Sequence, residues 1–288
     1  MIDSSGFKFV SLPFQCGQHR VRIWDNEKNA PLTLLFLHGY GAMIEHWEHN
    51  LPFFNENYRV IAADLLGFGK SDKPDILYSL KLWGEEIELL AHYFSLQNFV
   101  LIGQSMGAAS SVMYVRHFEH KLSRLVLIDC SGHFPKPLSL FEKSLYQLVG
   151  SPFIGDALFS VFGNEYGSKM SLLQTYYDPA FVTENLVNAF SESFKNPNSK
   201  FAYLAPSKNP DLFQLTALTP PVSKALPTQL IWGKHDKAFP PYETMPFFQN
   251  LFPNSTIHVV DQAAHCPHHE QPERVNQLIL KFIHSSSV

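Results

Sequence analysis

Six short apolar runs recur along the chain and leave few folds open to it. They are 32–37 (LTLLFL), 58–63 (YRVIAA), 98–103 (NFVLIG), 122–128 (LSRLVLI), 227–232 (PTQLIW) and 255–260 (STIHVV). Runs this short and this continuously apolar have the length of strands buried on both faces. Helical periodicity fills the gaps between several of them. Over 79–96, Leu80, Trp83, Ile87, Leu90 and Phe94 recur every three or four residues, with Ser79 at the N-cap position. The stretch 106–119 follows a tight Gly turn. The stretch 272–283 opens on Pro272 and carries Val275, Leu278, Ile279 and Phe282 on one face. Strands alternating with helices predict an α/β fold, a mostly parallel central sheet with helices on both faces.

The alternation breaks between 133 and 225, where amphipathic pieces are separated by prolines such as Pro135, Pro179, Pro197 and Pro210. We read 133–225 as a helical cap inserted into one core domain formed by 1–132 and 226–288. An insertion at that point lies over the C-terminal edge of the sheet, where ligand sites of α/β proteins lie. Its segment 138–162 is apolar-rich but interrupted by Glu142, Lys143, Gly150, Pro152 and Asp156, so a helix pair packed on the core is expected rather than a membrane-docking lid. The final HSSSV is expected to fray.

Composition narrows the function. Lys and Arg number 22 against 26 Asp and Glu, and no basic run occurs, so nucleic acid lacks its electrostatic partner. The three cysteines, Cys16, Cys130 and Cys266, are far apart and odd in number, so no disulfide framework or zinc ribbon is expected. The N-terminus does not read as a secretory signal and no apolar stretch reaches transmembrane length, so no membrane insertion is expected and the expected location is the cytoplasm.

Gly103-Gln104-Ser105-Met106-Gly107 follows a predicted strand and opens a predicted helix. A sharp strand-to-helix turn of this form presents the central hydroxyl to the cleft, and its small neighbours let the helix close on the strand. Asp236 follows the fifth run in WGKHD, and His265 follows the sixth in AAHCP. A serine hydroxyl becomes a nucleophile when an imidazole takes its proton and a carboxylate fixes the tautomer of that imidazole. Ser105, Asp236 and His265 are therefore the candidate triad. His38-Gly39-Tyr40-Gly41 follows the first run, and the backbone N–H groups of Tyr40 and Met106 are the candidate oxyanion hole. Asp129 is the main alternative acid, Asp261 ranks below it, and His268 and His269 compete with His265 as base. His38 is read as holding its loop, and Lys70 and Lys73 as surface charges.

The set 38-HGYG-41, 64-DLLGFGKSD-72, 103-GQSMG-107, 232-WGKHD-236 and 263-AAHCPHHEQPERV-275 resembles the α/β-hydrolase superfamily, over nearly the whole chain apart from the insertion. Within it, DLLGFGKSDKP and HWEHNLPFF resemble plant and cyanobacterial hydrolases that include pheophytinase-like enzymes. The resemblance implies the α/β-hydrolase fold and no cofactor. Relatives that dehalogenate or open epoxides carry Asp at the elbow, so Ser105 implies acyl chemistry. The site departs from the common pattern in having Ala264, not Gly, before the histidine. The expected substrate is a small to medium apolar carboxylic ester. The alternatives are hydrolysis of a carbon–carbon bond in a vinylogous diketone and slow-turnover reception of a small molecule.

Two ligand-rich stretches were weighed as metal sites. In 265-HCPHHE-270, Pro267 restricts the chain and His265 already has a role. His46 and His49, with Glu45 and Glu48, read as one face of a helix. Both are discounted, and no metal is expected.

Overall fold

The computed structural model describes residues 2–135 and 139–285. Eight strands form one sheet: β1 (Phe7–Phe14), β2 (Gly17–Asp25), β3 (Thr33–Leu37), β4 (Arg59–Ala63), β5 (Phe99–Gln104), β6 (Leu122–Ile128), β7 (Thr228–Gly233) and β8 (Ser255–Val260). Their order is β1-β2-β4-β3-β5-β6-β7-β8. The pairs β1–β2 and β2–β4 are antiparallel and the rest are parallel. The six strands from β3 onward are the six apolar runs, shifted by a residue at most.

Their continuous apolarity has a direct cause. Leu35, Leu37, Leu101, Leu125 and Leu127 point into one core, while Leu34, Phe36, Val100, Ile102 and Val126 point into the other. Alternate residues leave opposite faces of a strand, so a sheet covered on both sides needs apolar residues at every position. The helices that cover it are α1 (Leu51–Asn55), α2 (Leu80–Tyr93) and α3 (Met106–Phe118), then α10 (Pro241–Leu251), α11 (Pro267–Glu270) and α12 (Pro272–His284). Trp83 of α2, Val112 of α3 and Phe248 of α10 pack in the first core. Phe54 of α1 and Val275, Leu278, Ile279 and Phe282 of α12 pack in the second. The expected cap of α2 is present: Leu82 N–H donates to Ser79 Oγ at 3.1 Å.

The N-terminal hairpin β1–β2 was not among the expected strands. β1 has the alternation of an edge strand, with Val10, Leu12 and Phe14 buried and Phe9 51% exposed. β2 is masked in sequence by its polar residues. Arg22 is buried on the sheet, where its Nη1 donates to Asp64 Oδ2 at 3.0 Å and its Nη2 pairs with Glu45. Lys73 also departs from its expected surface role. It is buried, and its Nζ donates to the carbonyls of Gly69 at 2.7 Å and Ser71 at 3.0 Å, closing the loop after β4.

Between β6 and β7 the described residues form helices and turns and no strand. The helices are α4 (Leu140–Gly150), α5 (Pro152–Phe162), α6 (Glu165–Thr175), α7 (Glu184–Glu192), α8 (Ser199–Tyr203) and α9 (Ala205–Lys208). The first two differ from the core-packed pair expected. Leu140, Phe141 and Phe153 are 84%, 77% and 89% exposed, so the outer side of the pair faces solvent. No single described helix is long and apolar enough to cross a membrane. The tail expected to fray lies, beyond Ser285, outside the described residues.

Candidate active site

The candidate residues all lie just past the C-terminal ends of parallel strands: the Tyr40 loop after β3, Ser105 after β5, Asp129 after β6, Asp236 after β7 and His265 after β8. Ser105 sits between β5 and α3 with φ 51° and ψ −115°. A non-glycine residue held there is strained, and the surrounding packing must impose it. The flanking glycines make that packing possible. A Cβ on Gly103 would lie 2.6 Å from Ala108 N, and one on Gly107 would lie 2.6 Å from the carbonyl oxygens of Leu37 and His38.

The chain brings Ser105, His265 and Asp236 together. Ser105 Oγ is 2.9 Å from His265 Nε2, and His265 Nδ1 is 2.8 Å from Asp236 Oδ2. The other oxygen of Asp236 accepts from the N–H groups of Ala238 at 2.8 Å and Phe239 at 3.1 Å. Burial works to raise the Asp236 carboxyl, but His265 and these hydrogen bonds outweigh it and hold the group below the usual carboxylate range. Met106 is the first residue of α3, so its N–H has no helical carbonyl to bond. Tyr40 stands on the facing loop, and both residues line the same cavity as Ser105 and His265.

The rivals separate by geometry. Asp129 is fully buried beside Asp236 and accepts from Gly233 N–H at 3.0 Å. Burial and the neighbouring Asp236 charge push its carboxyl well up, toward the neutral form that can hydrogen-bond to Asp236. Asp261 points to solvent and pairs with Lys234 at 2.6 Å. His268 and His269 lie in α11 with their rings against Trp47 and His46, and the Ser105 hydroxyl bonds to His265 instead. His38 fills its expected role: its ring is buried, Nδ1 donates to Gly39 O at 2.7 Å and Nε2 accepts from Leu65 N–H at 2.9 Å.

Two residues of the site had no signal of this role in the sequence. Gln104 Nε2 donates to His265 O at 2.9 Å, from the elbow to the loop that carries the imidazole. Glu270 is buried, and its oxygens accept from Ala264 N–H at 2.7 Å and Tyr177 N–H at 2.6 Å. The same loop is tied to the inserted helices through His265 N–H, which donates to Thr175 O at 3.0 Å. Ala264, the departure from the common pattern noted in the sequence, is buried.

Above Ser105 lies a cavity of about 550 Å³, walled by apolar side chains such as Phe134, Leu145, Val149, Phe213 and Phe239. A second cavity of about 650 Å³ lies among Phe159, Phe162, Met170 and Phe194 of the inserted helices. Tyr40 and Tyr203 border both. Their rings meet edge to face at 5.4 Å, the Tyr40 hydroxyl donates to Tyr203 O, and the Tyr203 hydroxyl donates to Gly41 O at 3.1 Å.

A nucleophile elbow, an imidazole and a carboxylate on successive strand ends of this sheet define a class, and sequence comparison agrees. The profile of the α/β-hydrolase fold matches residues 33–272, and the chain belongs to that family. Among its relatives, the AB hydrolase superfamily protein YfhM of Bacillus subtilis is 27% identical over 266 residues, covering 89% of this chain and 91% of its own. Epoxide hydrolase 3 of Xenopus tropicalis is 26% identical over 289 residues, covering 89% of this chain and 72% of its own. Among solved structures, a thermophilic esterase from Thermogutta terrifontis superposes with a TM-score of 0.78 at 23% identity, covering 96% of this chain and 98% of that one.

Proposed function

We propose that the protein is a serine hydrolase of small to medium apolar carboxylic esters. The observation that carries this reading is the continuous relay from Ser105 Oγ through His265 to buried Asp236 at the floor of an apolar cavity. Ser105 Oγ attacks the ester carbonyl carbon while His265 Nε2 takes its proton. The carbonyl oxygen becomes an oxyanion, held by the N–H groups of Tyr40 and Met106. The carbon–oxygen bond to the alcohol breaks, and His265 returns the proton to the departing alkoxide. Water then attacks the acyl-Ser105, gives its proton to His265, and releases the acid and the free serine. Asp236 holds Nδ1–H and favours the imidazolium that forms in each half. The relatives named as epoxide hydrolases do not decide the chemistry of this chain, because a serine, not a carboxylate, stands at its elbow.

In this reading residues 133–225 cap the site and supply much of the apolar wall. No cofactor enters any step.

Labelling by a fluorophosphonate probe, with the modified peptide mapped by mass spectrometry, tests the nucleophile without knowledge of the substrate. Ser105 is expected to label rapidly, and H265A to abolish labelling. A folded protein that does not label would overturn the reading in favour of small-molecule reception. Turnover of a vinylogous diketone with none of p-nitrophenyl esters would move the reaction to carbon–carbon cleavage.

A further inference from the structure

Two stretches that are unremarkable as metal sites when read separately meet in the fold. Glu48 and His49 follow the short turn Ile44–Trp47 after β3, and His269 lies in α11, more than two hundred residues later. Glu48 Oε1 is 3.5 Å from His269 Nε2 and 4.0 Å from His49 Nε2. The His49 and His269 ring centroids are 4.9 Å apart, and one ligand atom from each of the three residues lies within 4.8 Å of the others.

A second observation points to a ligand. His269 is buried, and apart from the Glu48 carboxylate, 3.5 Å from Nε2, its ring nitrogens have no hydrogen-bond partner among the described residues. Buried polar atoms are almost always paired, and leaving one unpaired is costly. Glu48 and His49 are each nearly half exposed, so the cluster opens to solvent on one side. One ligand is thus fixed by the core, and two are free to close by a rotamer adjustment.

We propose that Glu48, His49 and His269 bind one divalent transition-metal ion of the zinc class. Two imidazoles and one carboxylate are a borderline N/O donor set that suits zinc, nickel or copper and not calcium or magnesium. Three protein ligands leave a further position to water. The ion would clip the turn after β3 to α11, beside Glu270, which holds the loop of His265. Its role is structural and is independent of the reading of the active site. Asp129, Asp236 and His265 also lie close enough to share an ion, but those groups already bond to one another in the relay.

The test uses the untagged full chain, stripped with EDTA and desalted. Zinc chloride is titrated by calorimetry, and melting is followed with and without zinc. One equivalent is expected to bind and to raise the melting temperature. H49A and E48Q, both at exposed side chains, are each expected to weaken binding about tenfold or more, and D236N to leave it intact. Cobalt(II) is expected to give tetrahedral-type absorption bands in wild type that H49A loses. Zinc affinity unchanged in both H49A and E48Q would overturn the proposal, as would binding lost in D236N, which would place the ion in the catalytic relay.

Discussion

At the scale of single residues, two acids compete for one imidazole, and hydrogen bonding decides between them. Asp129 and Asp236 both follow strand ends, and chain order favours Asp236, with Asp129 as its main alternative. What separates them is local backbone. Asp236 takes two N–H donors and the imidazole, which hold its carboxyl below the usual range, whereas burial beside that charge pushes the Asp129 carboxyl well up. D236N is expected to lower kcat/KM for an active ester by about 10⁴-fold, because the amide presents the wrong partner to Nδ1. D129N puts an uncharged amide of like shape where burial already pushes the carboxyl toward its neutral form, and its loss is expected to be smaller by at least tenfold. Steady-state kinetics of the two variants side by side checks this, and the reverse ranking would exchange the roles. Ser105, Asp236 and His265 were legible because each sits at a position where the strand-to-helix alternation forces a turn. Gln104 and Glu270 were not, because their work depends on which backbone N–H or carbonyl the fold places opposite them.

At the scale of elements, the six parallel strands were legible because burial on both faces leaves a continuous apolar run. The hairpin was not, because β2 spends its pattern on Arg22, a buried cation that only Asp64 and Glu45, from other parts of the chain, make tolerable. Helix α2 holds a comparable case in Glu86, whose oxygens accept from Leu66 N–H at 3.1 and 3.2 Å. Burial raises its carboxyl from 4.5 to about 8. In the unfolded chain the group ionises near 4.5, so between these values the folded state holds the extra proton. The contribution to stability is therefore complete below 4.5 and is lost as pH rises through about 8. E86Q keeps an oxygen for Leu66 and does not titrate. Melting curves between about pH 5 and pH 9 are expected to show wild type losing ground to E86Q as pH rises. Parallel curves would mean that Glu86 does not hold its proton in the folded chain.

At the scale of the whole molecule, the sheet supplies the relay and the helices between β6 and β7 supply most of the apolar walls. The boundary between the two cavities is the Tyr40–Tyr203 contact, one ring from the sheet side and one from α8. Y203A removes that partition. With p-nitrophenyl esters of increasing acyl length, the optimum is expected to move to longer chains while Ser105 keeps its reactivity toward a fluorophosphonate. An unchanged optimum would mean that the acyl chain does not run toward the second cavity. The exposed outer side of α4 and α5 shows the limit of periodicity at this scale: an amphipathic pattern states that one face is apolar, not whether the core has room for it.

The bonds that join Thr175 to His265 and, through Glu270, Tyr177 to Ala264 make the helices of the inserted segment unequal. The end of α6 is fastened to the same loop that carries His265, whereas α4 and α5 have no such tether among the described hydrogen bonds. Any movement that admits a substrate by lifting α6 would pull His265 out of line with Ser105. If the proposed reaction holds, entry from the α4–α5 side would leave Ser105, His265 and Asp236 in register, so one part of the insertion would serve as a doorway and the other as a doorpost built into the site.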